Sequence, residues 1–303
     1  MTQHLYVSQI RTALPDLVIE KLEQTGGQFA DVMIINGEWV FRFPRYREGV
    51  ARMVAETNLL IALQGRLPLP IPHPVHSRFE PPVPGLSFVG YHQLPGQPLL
   101  PEALAEVRNE FVRDDLAHQL AEFLRSLHRL PRAELPADLP GRPHGEASGE
   151  QRPAWDQMYA DVRSKLFAIM RPDARKTVTT LFEAYLDNTS LHSFEPCLRH
   201  GDFGGANILW QPGGEGAGAR ITAIIDFSSC APGDPAYDLA SLATLSGDFF
   251  ERLAPRYAPD PTRRAALLAR ARFYQGTFAL EEALAGLRDG DQHAYAHGME
   301  DYI

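Results

Sequence analysis

The chain has 303 residues, 44% of them hydrophobic, and a formal net charge of -9 at pH 7. That length can build two lobes with cores of their own, no run of about eighteen apolar residues is present to span a membrane, and the acidic balance argues against nucleic acid as the main partner, because phosphate-backbone binding needs a basic surface. Cys197 and Cys230 make no disulfide framework and lack metal-ligand spacing, and Met1-Thr2-Gln3-His4-Leu5-Tyr6 shows no basic segment followed by an apolar stretch, so a soluble cytoplasmic protein is expected.

In chain order, Thr25-Gly26-Gly27-Gln28-Phe29 reads as a glycine-containing turn that could lie over nucleotide phosphates through its backbone N–H groups, although it lacks the GxGxxG pattern. Val32-Met33-Ile34-Ile35 and Trp39-Val40-Phe41-Arg42-Phe43 flank Asn36-Gly37, a strong hairpin signal. Arg42 projects from the second strand of that hairpin, and Glu56 lies on a helical stretch over residues 49–64 with Val50, Val54 and Ile61 on its apolar face. Isolated charges of this kind are usually solvated, and by themselves these two carry no more than that. Pro68-Leu69-Pro70-Ile71-Pro72-His73-Pro74 reads as an extended connection packed on the first lobe.

A strand over residues 86–91 is broken by His92-Gln93-Leu94-Pro95-Gly96. The lobe boundary is placed there, with residues 1–94 as nucleotide-binding lobe and hinge and residues 95–303 as a helical lobe; backbone groups of His92, Gln93 and Leu94 would bond a nucleotide base at such a hinge. Helical spacing recurs over residues 110–129, 154–170, 174–187 and 262–288, and residues 131–153 read as a mobile surface loop.

His200-Gly201-Asp202, with Asn207 five residues after the aspartate, precedes Ile224-Ile225-Asp226-Phe227. Strands over 206–211 and 220–227, joined by a glycine-rich turn, bring Asn207 and Asp226 together. A phosphoryl group in transfer spreads negative charge over its oxygens, so a protein must orient the acceptor hydroxyl and hold Mg²⁺ against the phosphates. Asp202 suits the first task, while Asn207 and Asp226 offer the hard oxygen ligands that Mg²⁺ selects. Each piece alone is common in loops, where aspartates cap and turn; their order and spacing together indicate a kinase-type catalytic loop. Downstream, Asp234 followed by Pro235 marks a helix start. Residues 279–303 hold six acids, Glu281 and Glu282 among them, against the single base Arg288, a balance of -5. This reads either as a solvated helical face or as a cradle for a cationic substrate.

With HGDxxxxN at 200–207, IIDF at 224–227, GDPAYDLA at 233–240 and LRSLHRL ending at 130, nearly the whole chain resembles the aminoglycoside phosphotransferase family of kinase-like antibiotic-modifying enzymes. Phe41-Arg42-Phe43-Pro44, Leu67-Pro68-Leu69-Pro70-Ile71-Pro72 and Ala279-Leu280-Glu281-Glu282-Ala283-Leu284 are similar to its 2''-phosphotransferase branch, and Arg42-Phe43-Pro44-Arg45 is similar to macrolide phosphotransferases. The resemblance implies an α+β, protein-kinase-like two-lobe fold with a small antiparallel-sheet lobe and a mainly helical lobe, acting as a monomer. It implies transfer of the γ-phosphoryl group of ATP or GTP, with Mg²⁺, to a hydroxyl of a cationic aminoglycoside; a macrolide or another small hydroxyl compound is the alternative acceptor. Asp202 carries over as catalytic acid/base, Asn207 and Asp226 as metal ligands, His200 as a loop-positioning residue, and Asp234 and Asp238 as structural support. Glu281 or Glu282 would face the acceptor. Arg42 stands where the family usually has a phosphate-gripping lysine, and Glu56 would be the helix glutamate that pairs with it at the nucleotide site. Arginine there is not a neutral exchange, because its geometry differs, and it raises a third reading, a non-catalytic binding protein.

Overall fold

A computed structural model describes residues 3–26, 29–141, 152–213 and 218–303. In chain order the strands are β1 (Leu22–Gly26), β2 (Ala30–Ile35), β3 (Trp39–Pro44), β4 (His76–Arg78), β5 (Phe88–His92), β6 (Gln97–Pro98), β7 (Cys197–Arg199), β8 (Ile208–Gln211), β9 (Arg220–Ile224) and β10 (Ala231–Gly233). The helices are α1 (Gln3–Ala13), α2 (Arg47–Leu63), α3 (Pro101–Glu106), α4 (Glu110–His128), α5 (Arg152–Lys165), α6 (Pro172–Leu186), α7 (Ala236–Ala243), α8 (Gly247–Tyr257), α9 (Pro261–Asp289) and α10 (Gln292–Met299). They form two compact units, one from the described residues of 1–142 and 200–231, the other from those of 143–199 and 232–303. The expected boundary after residue 94 falls inside the first unit.

The first unit carries an antiparallel five-stranded sheet in the order β1-β2-β3-β5-β4. Alternation along each strand sends neighbouring side chains to opposite faces. Met33, Ile35, Phe41, Phe43 and Phe88 pack against Tyr6 and Ile10 of α1. Val89 and Tyr91 pack with Met53 of α2. Asn36 and Gly37 take φ of 56° and 68° at the β2–β3 turn, and the Asn36 side chain accepts from the N–H groups of Glu20 and Lys21. Gly90 in β5 is required by packing, since a Cβ there would lie 2.5 Å from Cε1 of Phe41.

The buried stripe of α2 differs from the expected one. Val50, Met53, Leu60 and Leu63 are buried while Ile61 is 54% exposed, because the helix turns the charged Glu56 inward. The proline segment is extended and anchored, with the Pro70 carbonyl accepting from Ile224 N–H at 3.0 Å and that of Pro72 from Gln64 Nε2 at 3.0 Å. A second antiparallel sheet, β6-β8-β9, packs on α4, whose N-cap Asn109 accepts from Phe111 and Val112 N–H. The described part of the expected mobile loop is held in place, since Arg132 donates to three carbonyls ahead of it and Gly141 N–H donates to Cys230 O at 2.9 Å.

The second unit is mostly helical. Trp155, Phe182, Tyr185, Phe273 and Tyr274 form an aromatic core among α5, α6 and α9, with Tyr185 stacked on Phe273 at 3.7 Å between ring centroids. Helix α10 packs back along α9. Among the described residues, no helix is long and apolar enough to cross a membrane.

Candidate active site

A cavity of about 400 Å³ opens in the first unit, lined on one side by Val32, Val40, Arg42 and Tyr91 of the sheet and on another by Asn207, Ile225 and Asp226. Of the residues assigned to phosphoryl transfer, Arg42, Asn207 and Asp226 therefore meet at one space, and Asp202 is bonded to Asn207. Asn207 sits in a 3-10 turn before β8, and Asp226 just beyond β9, so the β8–β9 pairing sets their proximity.

The loop between them is closed by backbone bonds. Ile225 N–H donates to the Asn207 carbonyl at 2.9 Å, and His200 Nε2 lies 3.1 Å from the Ile225 carbonyl. The Asp202 N–H donates to His200 Nδ1 at 3.3 Å, so the ring carries its hydrogen on Nε2 and its lone pair on Nδ1. His200 is fully buried between Phe203 and Phe227. Asn207 Nδ2 donates to the Asp202 backbone carbonyl at 2.9 Å and to its Oδ2 at 2.8 Å. The amide hydrogens are thus turned to Asp202 and the amide oxygen is left for another partner. Asp202 itself is exposed.

Asp226 holds a left-handed backbone conformation, φ 61° and ψ 73°, uncommon for a non-glycine residue, and caps the following 3-10 turn by accepting from Ser228 N–H. Burial alone would raise its pKa; Arg42 and the bond from Ser228 outweigh burial and hold it below the usual carboxylate range. Arg42 Nη1 lies 2.7 Å from Glu56 Oε1, and its Nη2 3.6 Å from Asp226 Oδ1. Both partners of the Arg42–Glu56 pair are largely buried, with side-chain exposures of 15% and 4%. Burial pushes the Glu56 carboxyl above its ordinary pKa, with Arg42 opposing.

The other predicted residues of the first unit divide between the cavity and other places. Gly26 ends β1 opposite Asp31 with the Arg45 guanidinium beside it, and does not line the cavity; Gly27 lies outside the described residues. The strand runs one residue further than expected, so His92 belongs to β5, where its exposed ring lies tilted against Trp39 with 3.9 Å between centroids. Gln93 and Leu94 line the cavity, but Gln93 N–H is engaged with the Glu38 carbonyl at 2.8 Å. Antiparallel pairing alternates, so this bond directs the backbone groups of His92 away from β3.

In the second unit, Asp234 is a structural hub. It accepts from Ala236 N–H at 2.9 Å, from Arg270 Nε at 2.5 Å and Nη2 at 3.2 Å, and from Tyr274 OH at 2.8 Å. Asp238 is fully buried in α7. Glu281 accepts from Thr277 Oγ1 at 2.9 Å, and Glu282 pairs with His297 at 2.8 Å.

Sequence reasoning missed three features. Asp31 joins Tyr6 OH at 2.6 Å and Arg45 Nε at 2.7 Å; the acid between Ala30 and Val32 in an apolar strand was the available signal. Phe29 lines the cavity beneath the Arg52 guanidinium, 4.6 Å from its ring centroid. Tyr91 shares the cavity face of the sheet with Arg42 on the neighbouring strand, which the sequence alone does not signal.

Residues 26–274 match the family described as "Phosphotransferase enzyme family" (APH). The chain belongs to this phosphotransferase family. Over 296 residues it is 30% identical to a viomycin phosphotransferase of Streptomyces vinaceus, covering 95% of each chain. The structure of the GDP and kanamycin complex of APH(2")-IIia superposes with a TM-score of 0.81 at 27% identity, over 99% of this chain and 97% of that one. The apoenzyme of a macrolide 2'-phosphotransferase from Brachybacterium faecium superposes at 0.70 with 25% identity, over 98% of both. The fold of this phosphotransferase is thus kinase-like, with an antiparallel-sheet N-terminal region and a mostly helical C-terminal part, and its reaction is phosphoryl transfer to a hydroxyl group.

Proposed function

We propose that this phosphotransferase moves the γ-phosphoryl group of a nucleoside triphosphate to a hydroxyl of an aminoglycoside antibiotic. The observation that carries this reading is the meeting of Arg42, Asn207 and Asp226 on one cavity, with Asp202 bonded to Asn207 and Glu56 bonded to Arg42. Asp202 takes the proton of the acceptor hydroxyl as its oxygen bonds to phosphorus and the bond to the β-phosphate oxygen breaks. Asn207 fixes the Asp202 carboxylate through Nδ2 and leaves the rest of that carboxylate to the hydroxyl.

Among the described residues, no three His, Cys, Asp or Glu side chains are grouped to hold a metal by themselves. A hard-oxygen pair from Asp226, kept ionised, and Asn207 Oδ1 nevertheless fits Mg²⁺, which takes few protein ligands beside phosphates and water. When bound, Mg²⁺ neutralises charge on the phosphate oxygens. Arg42, held charged by Glu56, grips the same oxygens. The His92 carbonyl and Leu94 N–H, which flank the engaged Gln93 N–H, bond the base.

The GDP and kanamycin complex of a similar enzyme and the viomycin relative support a nucleotide donor and an antibiotic acceptor. The acidic end of the chain, Glu281 with it, suits a cationic acceptor through electrostatic attraction. The macrolide 2'-phosphotransferase likeness favours a second reading, in which the acceptor is a macrolide. In either case the enzyme works as a cytoplasmic monomer. The test is turnover by the purified protein with Mg²⁺ and ATP or GTP against aminoglycosides, viomycin, macrolides and small amino alcohols. Stimulation by an aminoglycoside supports the first reading, stimulation by macrolides alone supports the second, and no stimulation by any acceptor with either nucleotide refutes both.

A further inference from the structure

Taking the proposed phosphoryl-transfer reading as its basis, we propose that Tyr91 is a positioning residue for Arg42: its hydroxyl and Glu56 together set the plane of the guanidinium, so that its remaining edge faces the phosphates. The strand register places the groups. Tyr91 stands directly opposite Val40 and Val89 opposite Arg42, so all four share one face of the sheet, with Arg42 and Tyr91 on a diagonal that long side chains span. Both residues line the cavity, and Tyr91 is only 9% exposed. On that diagonal the Tyr91 hydroxyl is within electrostatic reach of the Arg42 guanidinium; burial raises its pKa to about 12, with Arg42 opposing the rise.

A positioning residue is needed here because of the arginine. A lysine ammonium is a compact point charge whose donors reorient freely, whereas a guanidinium is a flat fork whose rotation decides where every N–H points. One contact to Glu56 at 2.7 Å leaves that rotation open. The nearest competing anion is Asp226, 3.6 Å from Nη2, the residue assigned to the metal. A guanidinium that swung fully onto Asp226 would occupy a ligand oxygen and withdraw from the phosphates. The Tyr91 hydroxyl supplies the second point of attachment that opposes this rotation.

The experiment is Tyr91→Phe, which keeps the ring and removes only the hydroxyl, made in the native protein and in Arg42→Lys. Binding of Mg²⁺-GTP and Mg²⁺-ATP by calorimetry is read beside KM and kcat. In the native background, nucleotide Kd and KM rise by about tenfold, the size of one hydrogen bond to a charged group, while kcat changes less than about threefold. In the Arg42→Lys background the same change alters Kd by less than about twofold, because an ammonium has no plane to orient. Equal penalties in the two backgrounds, or no penalty in the native one, overturn the proposal while leaving the phosphotransferase reading intact. Absence of nucleotide binding by the unmutated protein defeats that reading and this proposal together.

Discussion

The Asp234–Arg270 pair allows a sharp calculation. Arg270→Met removes the guanidinium that donates at 2.5 and 3.2 Å while filling similar volume, and leaves a carboxylate 2% exposed with two neutral donors, Tyr274 OH and Ala236 N–H. Deleting one partner of a buried pair costs about 3–5 kcal/mol. The loss of stability at pH 7 is therefore about 3–5 kcal/mol, because the two remaining neutral donors do not replace the charge of the guanidinium. Urea unfolding of the variant and the native protein at pH 7 measures the difference. A deficit below about 1 kcal/mol would refute the argument that Arg270 is what makes burial of that charge tolerable.

Three further outcomes are expected. Asp202→Ala lowers turnover by about 10²–10⁴ while nucleotide affinity stays within about twofold, and native-like turnover would remove Asp202 from the mechanism. Gly90→Ala drives a methyl to 2.5 Å from the Phe41 ring and loses about 1–3 kcal/mol in urea unfolding, a loss that Phe41→Leu in the same chain should partly reverse. The His297 pKa is raised above 6.5, first by its hydrogen bond to Glu282, so an NMR titration should find its midpoint above 6.5 and Glu282→Gln should return it towards that value. The raised folded-state pKa means that this contact stabilises below about pH 6.5 and fades as pH rises through the midpoint; a native midpoint at or below 6.5 would contradict the pairing.

The parts of this protein that were legible in its sequence are those whose chemistry and spacing are local. His200, Asp202 and Asn207 lie within eight residues, and one hairpin carries Asn207 to Asp226, so their proximity could be read without knowing the fold. Asn36-Gly37 announced the β2–β3 turn for the same reason, since its backbone requirement is met by the residues themselves. Pairings across longer distances were not legible. Whether Tyr91 shares a sheet face with Arg42 depends on the register between β3 and β5, and whether Glu56 or Ile61 is buried depends on what α2 meets. Hydrophobic periodicity alone points to an apolar stripe on α2, but its inward stripe includes a glutamate that Arg42 makes tolerable there. Gly26 ends β1 at the expected turn into β2, but that its missing side chain also gives room to the Arg45 guanidinium depends on a contact the local sequence does not signal. Nor could the hub at Asp234 be foreseen, because Arg270 and Tyr274 reach it from a helix more than thirty residues away.

The peptide group of Ile225 holds both ends of the catalytic loop, its carbonyl against His200 and its N–H against Asn207, while its side chain lines the cavity. Main-chain bonds survive any side-chain exchange except proline, which lacks the N–H. The same position can therefore reshape the cavity wall without loosening Asp202 or Asp226. Substitution at 225 is free to alter the cavity lining, and the placement of His200, Asp202 and Asn207 is insulated from it.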